Sequence, residues 1–97
     1  MKRQRFVSQR SLSRMFHEAA EAWKRQEYQQ SIEILEHGAR LDPANSSILL
    51  DLGRAHGMRY DYGAAERCLE KAVRVAPDRM QALVEAGQRC QEFGNPE

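Results

Sequence analysis

The sequence repeats itself with a period of 34 residues, and this period constrains the fold more than any other feature. Pro43 is followed one period later by Pro77, and Tyr28 is followed in the same way by Tyr62. Other positions keep the same register: Leu35 with Leu69, Glu36 with Glu70, Arg40 with Arg74, Met15 with Leu49 and Leu83, and Ala19 with Gly53 and Gly87. A regular period of this size indicates stacked copies of one small structural unit. We therefore expect a fold of stacked repeats that mainly presents exposed surfaces.

Each repeat shows the apolar spacing of two α-helices. Apolar residues recur at steps of three and four, as at Met15, Ala19 and Ala22, which is the spacing of one helix face. The pattern predicts five helices, over residues 12–25, 28–41, 46–59, 62–75 and 80–93. Pro43 and Pro77 disfavour helical geometry just before them and end the second and fourth helices. Asn45, Ser46 and Asp78 offer side-chain oxygens that can cap the helices that follow. The predicted fold class is all-α.

The repeated residues resemble the tetratricopeptide repeat, a helix–turn–helix unit of about 34 residues. The second copy carries L-x-x-L-G from Leu49 to Gly53 and D-Y-x-x-A from Asp61 to Ala65. Leu69, Ala72 and Pro77 follow at the family's spacing. The first copy departs from this pattern at three positions, with Glu18, Ser31 and Gly38 where the second has Leu52, Ala65 and Ala72. The resemblance implies antiparallel helix–turn–helix repeats stacked in a right-handed α-solenoid.

The repeat also predicts how the chain is divided. We expect a basic arm or extra helical turn over residues 1–11 and a repeat domain over 12–97. That domain divides into repeat 1 over about 12–45, repeat 2 over about 46–79, and the first helix of a third repeat over about 80–93. The last helix would leave Leu83, Ala86 and Cys90 without a partner helix. We therefore expect the natural protein to continue past Glu97. If the present chain is soluble alone, we expect the bare helix to be shielded by self-association or by folding back.

Charge and cysteine usage exclude several functions and locations. Residues 1–14 contain five basic and no acidic residues, on a mildly acidic remainder, which is not the footprint of a nucleic-acid-binding domain. No stretch is long and apolar enough to span a membrane. The arm's composition fits both a mitochondrial presequence and a solvated arm, and both interpretations stay open. Cys68 and Cys90 have no paired spacing and are expected to be buried and reduced, which favours the cytoplasm.

The resemblance implies a concave groove built from the first helix of each pair. Helical spacing places a stripe of side chains on its wall: Phe16, Ala20, Trp23, Leu50, Arg54, Gly57, Val84, Gln88 and Gln91. Because Trp and Arg are favoured at interface hot spots, Phe16, Trp23 and Arg54 are the first choices for contact with a peptide. The alternative for Trp23 is packing against Phe6 and Val7 of the arm, and it stays open.

Some members of the family clamp the C-terminal carboxylate of a partner with basic and amide side chains. At the matching positions this chain has Phe16, Ala20, Asp51, Gln81 and Glu85, none of which is positive. A carboxylate clamp is therefore not expected. A moderately apolar groove suits an extended segment or an amphipathic helix of a partner.

No catalytic, metal or cofactor site is expected within the segment. His17 and Glu18 begin like the zinc-protease motif H-E-x-x-H, but Glu21 replaces the second histidine. The leading interpretation is a non-catalytic scaffold that binds a protein or peptide. One alternative is the N-terminal segment of a larger enzyme, such as a bacterial sulfotransferase or glycosyltransferase. Another is a small chaperone-like adaptor, and a homodimer formed through the terminal helix or the groove also remains open.

Overall fold

The computed structural model describes residues 9–93. Within this range the chain forms five α-helices and no strand. They are α1 (Gln9–Lys24), α2 (Tyr28–Leu41), α3 (Ser46–Met58), α4 (Tyr62–Val75) and α5 (Arg79–Phe93). The all-α prediction is confirmed, and each helix begins and ends within three residues of its predicted bounds. The arm over residues 1–11 falls mostly outside the described residues, and its last three residues belong to α1.

The turns inside the two helix pairs have the same geometry one period apart. Gln26 and Tyr60 follow α1 and α3 with φ values of 66° and 71°, in the left-handed region that commonly ends a helix. The amide of Glu27 donates to the carbonyl of Ala22 at 2.9 Å, and Asp61 donates in the same way to His56. The left-handed residue and the hydrogen bond after it turn the chain back, so that the two helices of a pair run antiparallel.

Side-chain caps begin the last three helices. Asn45 Oδ1 accepts from the amide of Ile48 at 3.2 Å, and Asp78 Oδ1 accepts from the amide of Gln81 at 3.0 Å. Both caps were predicted from the sequence. Asp61 Oδ1 caps α4 by accepting from the amide of Ala64 at 3.2 Å. Each cap satisfies an amide that has no partner inside its helix.

The core consists of two clusters that share α3. The first contains Ala19, Ile32, Leu35, Leu52 and Ala55. The second contains Leu49, Leu50, Leu69 and Ala72. Helix α3 supplies residues to both clusters and packs against α2, α4 and α5. It is therefore the central helix of the described structure.

Helices α3 and α4 approach each other closely at Gly53. A Cβ atom built there would lie 2.8 Å from Cγ and Cδ2 of Leu69 and 3.2 Å from the carbonyl oxygen of Ala65. One period earlier, Ser31 and Ala19 occupy the positions of Ala65 and Gly53. There the buried Ser31 hydroxyl donates to the Ala19 carbonyl at 2.8 Å, so this departure from the repeat pattern is satisfied by a hydrogen bond.

Helix α5 has one covered face and one open face. Ala82 is buried, whereas the side chains of Leu83 and Val84 are 52% and 54% exposed. Gly87, one period after Gly53, has no described atom within 4 Å of a Cβ built on it. Within the described residues, helix α5 therefore lacks the cover that α4 gives to α3.

The two cysteines differ in their surroundings. Cys68 is half-buried and packs against the first core cluster, and this burial raises the pKa of its thiol. Cys90 is exposed, so the prediction that both cysteines are buried is wrong for Cys90. It lies on the open face of α5, where no helix of the described chain covers it.

Substituting Gly53 with leucine should separate α3 from α4. A larger side chain has no room beside Leu69, and overpacking of this kind costs on the order of 2 kcal/mol or more of the unfolding free energy. The measurement is urea unfolding followed by circular dichroism at the helical band. Gly63→Leu is the matched control, because a Cβ at Gly63 would meet only Arg67 Nη1, at 3.5 Å. A Gly53→Leu protein as stable as the control would contradict the close approach.

The two thiols should react with iodoacetamide at different rates. Only the thiolate reacts, and both partial burial and a raised pKa reduce the thiolate available at Cys68. We expect Cys90 to be alkylated first at pH 8, and Cys68 to react appreciably only at higher pH or after unfolding. Peptide mapping by mass spectrometry measures both rates in one sample. Equal rates in the folded chain would contradict the packing of Cys68.

Candidate binding groove

A concave groove lies between α1 and α3, with α5 at its rim. It encloses about 340 Å³, which is within the lower range of ligand-binding clefts. Its walls are formed mainly by small and aromatic side chains, with three charged residues at one side. The lining residues are Phe16, Ala19, Ala20, Trp23, Ser31, Leu35, Asp51, Arg54, Ala55 and Arg89. We refer to this site as the concave groove.

Trp23 is fixed at one end of the concave groove by contacts on two sides. Its ring packs edge-to-face against Tyr28, with 4.6 Å between centroids, and Arg54 Cζ lies 5.7 Å from its ring centroid. Tyr28 is in turn covered by Arg59, with Cζ 4.5 Å from the ring centroid. The two cation–π contacts join α3 to the α1–α2 pair. Contacts on two sides therefore fix the orientation of the Trp23 ring.

The same tryptophan is part of the structural core. Trp23 packs against the first core cluster while one side remains open to the groove. Trp23 thus packs against the core with one part of its side chain and lines the concave groove with another. Phe6 and Val7 lie outside the described residues, so packing of the arm against Trp23 stays a prediction.

An ion pair connects α3 and α5 at the groove. Arg89 Nη2 donates to Asp51 Oδ1 at 3.3 Å. Asp51 is at one of the positions compared with the carboxylate clamp, and here its charge is balanced from within the chain. The sequence reasoning missed Arg89. The sequence does contain a signal for this pair, because Asp51 and Arg89 are 38 residues apart. That separation is one period plus about one helical turn, which is the step between residues that meet on neighbouring repeats.

Four of the predicted groove residues lie together, and the others do not. Phe16, Ala20, Trp23 and Arg54 line the concave groove. The prediction for Leu50 is wrong, because its side chain is only 1% exposed and packs with Leu69 and Ala72 of α4. Leu50, which is one period after Phe16, thus belongs to the core where α4 and α5 pack against α3.

The remaining predicted positions also lie off this cavity. Gly57 is buried inside the helix packing. Val84, Gln88 and Gln91 are exposed on α5 but do not line the groove that α1 and α3 form. Whether these three side chains contact a partner remains a prediction.

The described residues hold no group of three or more histidine, cysteine or acidic side chains that could bind a metal ion. Within the same part of the chain, no helix is long and apolar enough to cross a membrane. The lining of the groove combines small and aromatic side chains with two arginines and one aspartate.

Antiparallel helix pairs, repeated every 34 residues around a concave wall, define the chain as a helical-repeat protein. The sequence matches the Tetratricopeptide repeat family over residues 22–87, which is more than half of the chain. The chain therefore belongs to the tetratricopeptide repeat family, as the sequence resemblance predicted. Neither a curated protein nor a solved structure matches it.

The Asp51–Arg89 pair should contribute modestly to stability and should respond to salt. Both side chains are partly exposed, so a double-mutant cycle with Asp51→Ala and Arg89→Ala should give a coupling energy of about 0.5 kcal/mol. That coupling should fall when the ionic strength is raised to about 1 M, because salt screens exposed charges. The measurement is urea unfolding of the four proteins at both salt concentrations. A coupling energy of zero at low salt would contradict the pairing.

Proposed function

We propose that the chain is a non-catalytic protein-interaction scaffold that binds a segment of a partner protein in the concave groove. The observation that carries this proposal is the convergence of Phe16, Ala20, Trp23 and Arg54 on one cavity. Membership of a family of interaction repeats supports it further. The groove's walls come from rigid helices, so little ordering is needed on the scaffold side when a partner binds.

The lining residues favour a partner segment with an apolar or aromatic anchor. Phe16, Ala20 and the open side of Trp23 form an apolar surface, and its size suits one or two side chains. Burying an anchor there removes apolar area from water on both molecules. Aromatic anchors gain further from edge-to-face contact with Trp23.

The charged residues favour an acidic side chain next to that anchor. Of the three charged side chains that line the groove, Arg54 and Arg89 are positive and Asp51 is negative, so the lining carries a net positive charge. A carboxylate of the partner is attracted to a surface of that sign. The proposed ligand is therefore an extended or helical segment with an apolar anchor beside an acidic residue.

We also propose that the protein acts in the cytoplasm. Its cysteines, Cys68 and Cys90, are both free, and unpaired thiols persist in reducing compartments. Fractionation of cells that produce the tagged protein tests this proposal. Recovery in an oxidising compartment would contradict it.

Selection from a random peptide library against the 97-residue chain should yield sequences with an aromatic or aliphatic anchor near Asp or Glu. Their binding should be abolished by Ala20→Arg, because the new side chain fills the groove while the exposed Ala20 position leaves the core intact. Titration with each selected peptide, followed through the emission of Trp23, the only tryptophan, measures the affinity.

Ala44→Arg is the matched control, since Ala44 is also exposed but does not line the groove. The control should bind as the unmodified chain does, and Arg54→Ala should weaken peptides with an acidic residue by about tenfold, the effect of losing one charge-assisted hydrogen bond. Selected peptides that bind Ala20→Arg and the unmodified chain equally would contradict the groove proposal.

A further inference from the structure

A second groove lies on the opposite side of α5, between α4 and α5. It encloses about 630 Å³ and is lined mainly by apolar side chains, among them Leu69, Val73, Leu83 and Ala86. Gly87 and Cys90 form part of its floor, and Tyr62, Glu66 and Glu70 form its edge on α4. We refer to it as the α4–α5 groove. It shares no lining residue with the concave groove.

The internal repeat shows what kind of element fits there. Shifting α3 by one period brings Leu49 onto Leu83 and Gly53 onto Gly87. On α3 these positions are covered by α4: Leu49 is 5% exposed, and Leu69 lies against Gly53. On α5 the same two positions are open, with Leu83 52% exposed and nothing within 4 Å of a Cβ at Gly87. The face is thus shaped for an α-helix that crosses α5 as α4 crosses α3.

The helix that covers α3 also shows which residues such an element needs. Ala65, Leu69 and Ala72 of α4 face α3 and are buried, and the leucine lies against the glycine. A helix that covers α5 in the same way requires a leucine with a small residue four positions before it and another three positions after it. Because no described atom lies within 4 Å of a Cβ at Gly87, a leucine can lie against it without rearrangement.

Charge distinguishes between a second copy of this chain and a different partner. The charged side chains that line the described part of the groove, Glu66 and Glu70, are both acidic. A two-fold dimer through this face would place the same patch on both subunits, so two surfaces of the same negative sign would be brought together. A helix with lysine or arginine beside its apolar stripe is instead attracted to them.

We propose that the α4–α5 groove is a docking site for an amphipathic α-helix of a partner protein. The helix places a leucine against Gly87 and basic residues towards Glu66 and Glu70. This site is separate from the concave groove, so the chain offers two faces to two different kinds of segment. Failure of either proposal leaves the other standing.

The test uses a synthetic, helix-stapled peptide as the probe. It carries the stripe Ala-x-x-x-Leu-x-x-Ala with lysines on the flank, and a twin peptide carries glutamates in place of those lysines. Fluorescence anisotropy with the labelled peptide measures the affinity for the 97-residue chain. We expect the lysine peptide to bind, and the glutamate peptide to bind about tenfold more weakly, because the rim is acidic.

Gly87→Leu is the decisive variant. The new side chain occupies the space that the partner's leucine needs, and should weaken binding of the lysine peptide by at least about tenfold, the loss expected when a central anchor is blocked. Gly63→Leu is the matched control: it adds the same side chain to another open helical glycine that does not line the groove. The control should bind the peptide as the unmodified chain does. Circular dichroism of both variants confirms that the helices remain.

Cys90 gives a second readout that depends on position. Because it lies in the α4–α5 groove, the bound lysine peptide should slow its alkylation, while the peptide leaves the rate at Cys68 unchanged. Equal binding by Gly87→Leu, no binding of the lysine peptide to the unmodified chain, or unchanged alkylation of Cys90 would each overturn the proposal. A dimer in light scattering that Gly87→Leu converts to monomer would also overturn it, because the occupant would then be a second copy.

Discussion

The contact of Leu69 with Gly53 sets the distance between α3 and α4, and the remaining structure depends on that distance. Gly53 contributes no side chain there, so the Leu69 side chain lies directly against the α3 backbone, and the Ala65 carbonyl comes close enough that even a methyl group would be tight. Because α4 lies close to α3, Leu49 and Leu50 are buried against Leu69 and Ala72. The opposite face of α3 is then free to pack its other apolar residues, Leu52 and Ala55, against the first helix pair.

This arrangement explains why the molecule has grooves and no enclosed cavity at its candidate sites. Each helix pair is thin, and helices that face both a neighbour and solvent cannot surround a ligand. The concave groove lies between α1 and α3, and the Arg54–Trp23 and Asp51–Arg89 contacts connect the helices around it. The α4–α5 groove lies where α5 packs against α3 and α4 while no further helix of the described chain covers its other face. Both candidate surfaces are thus consequences of stacking.

The sequence predicted the helices well because the signals were local and occurred in every repeat. The 34-residue period, the prolines after α2 and α4, and the caps at Asn45 and Asp78 each act within a few residues of the feature they determine. The repeat makes Gly53 and Gly87 equivalent, but in the described chain only Gly53 has another helix against it. Local patterns show that a close approach is available. They do not show whether another helix occupies it.

The candidate site was harder to predict, because its composition depends on how neighbouring repeats stack. Helical spacing placed Leu50 on the same stripe as Phe16, and the two positions are equivalent in the repeat. Phe16 lies at the first helix and lines the groove, whereas Leu50 is enclosed where α4 and α5 meet. The Asp51–Arg89 pair joins residues on different repeats, so it could be found only by combining the period with one helical turn. Equivalent positions in a repeat share a helix face without sharing an environment.

The most direct test of this account is native-state hydrogen exchange of the free chain, resolved for each helix. Stability within a protein is uneven, and helices with more packed neighbours open less often. Because α3 contributes to both core clusters, its central amides should exchange most slowly, by global unfolding. The amides of α5, with one face open to solvent, should exchange faster through local opening. If the amides of α5 were as protected as those of α3, the claim that α3 is the central helix and that α5 lacks a covering partner would be contradicted.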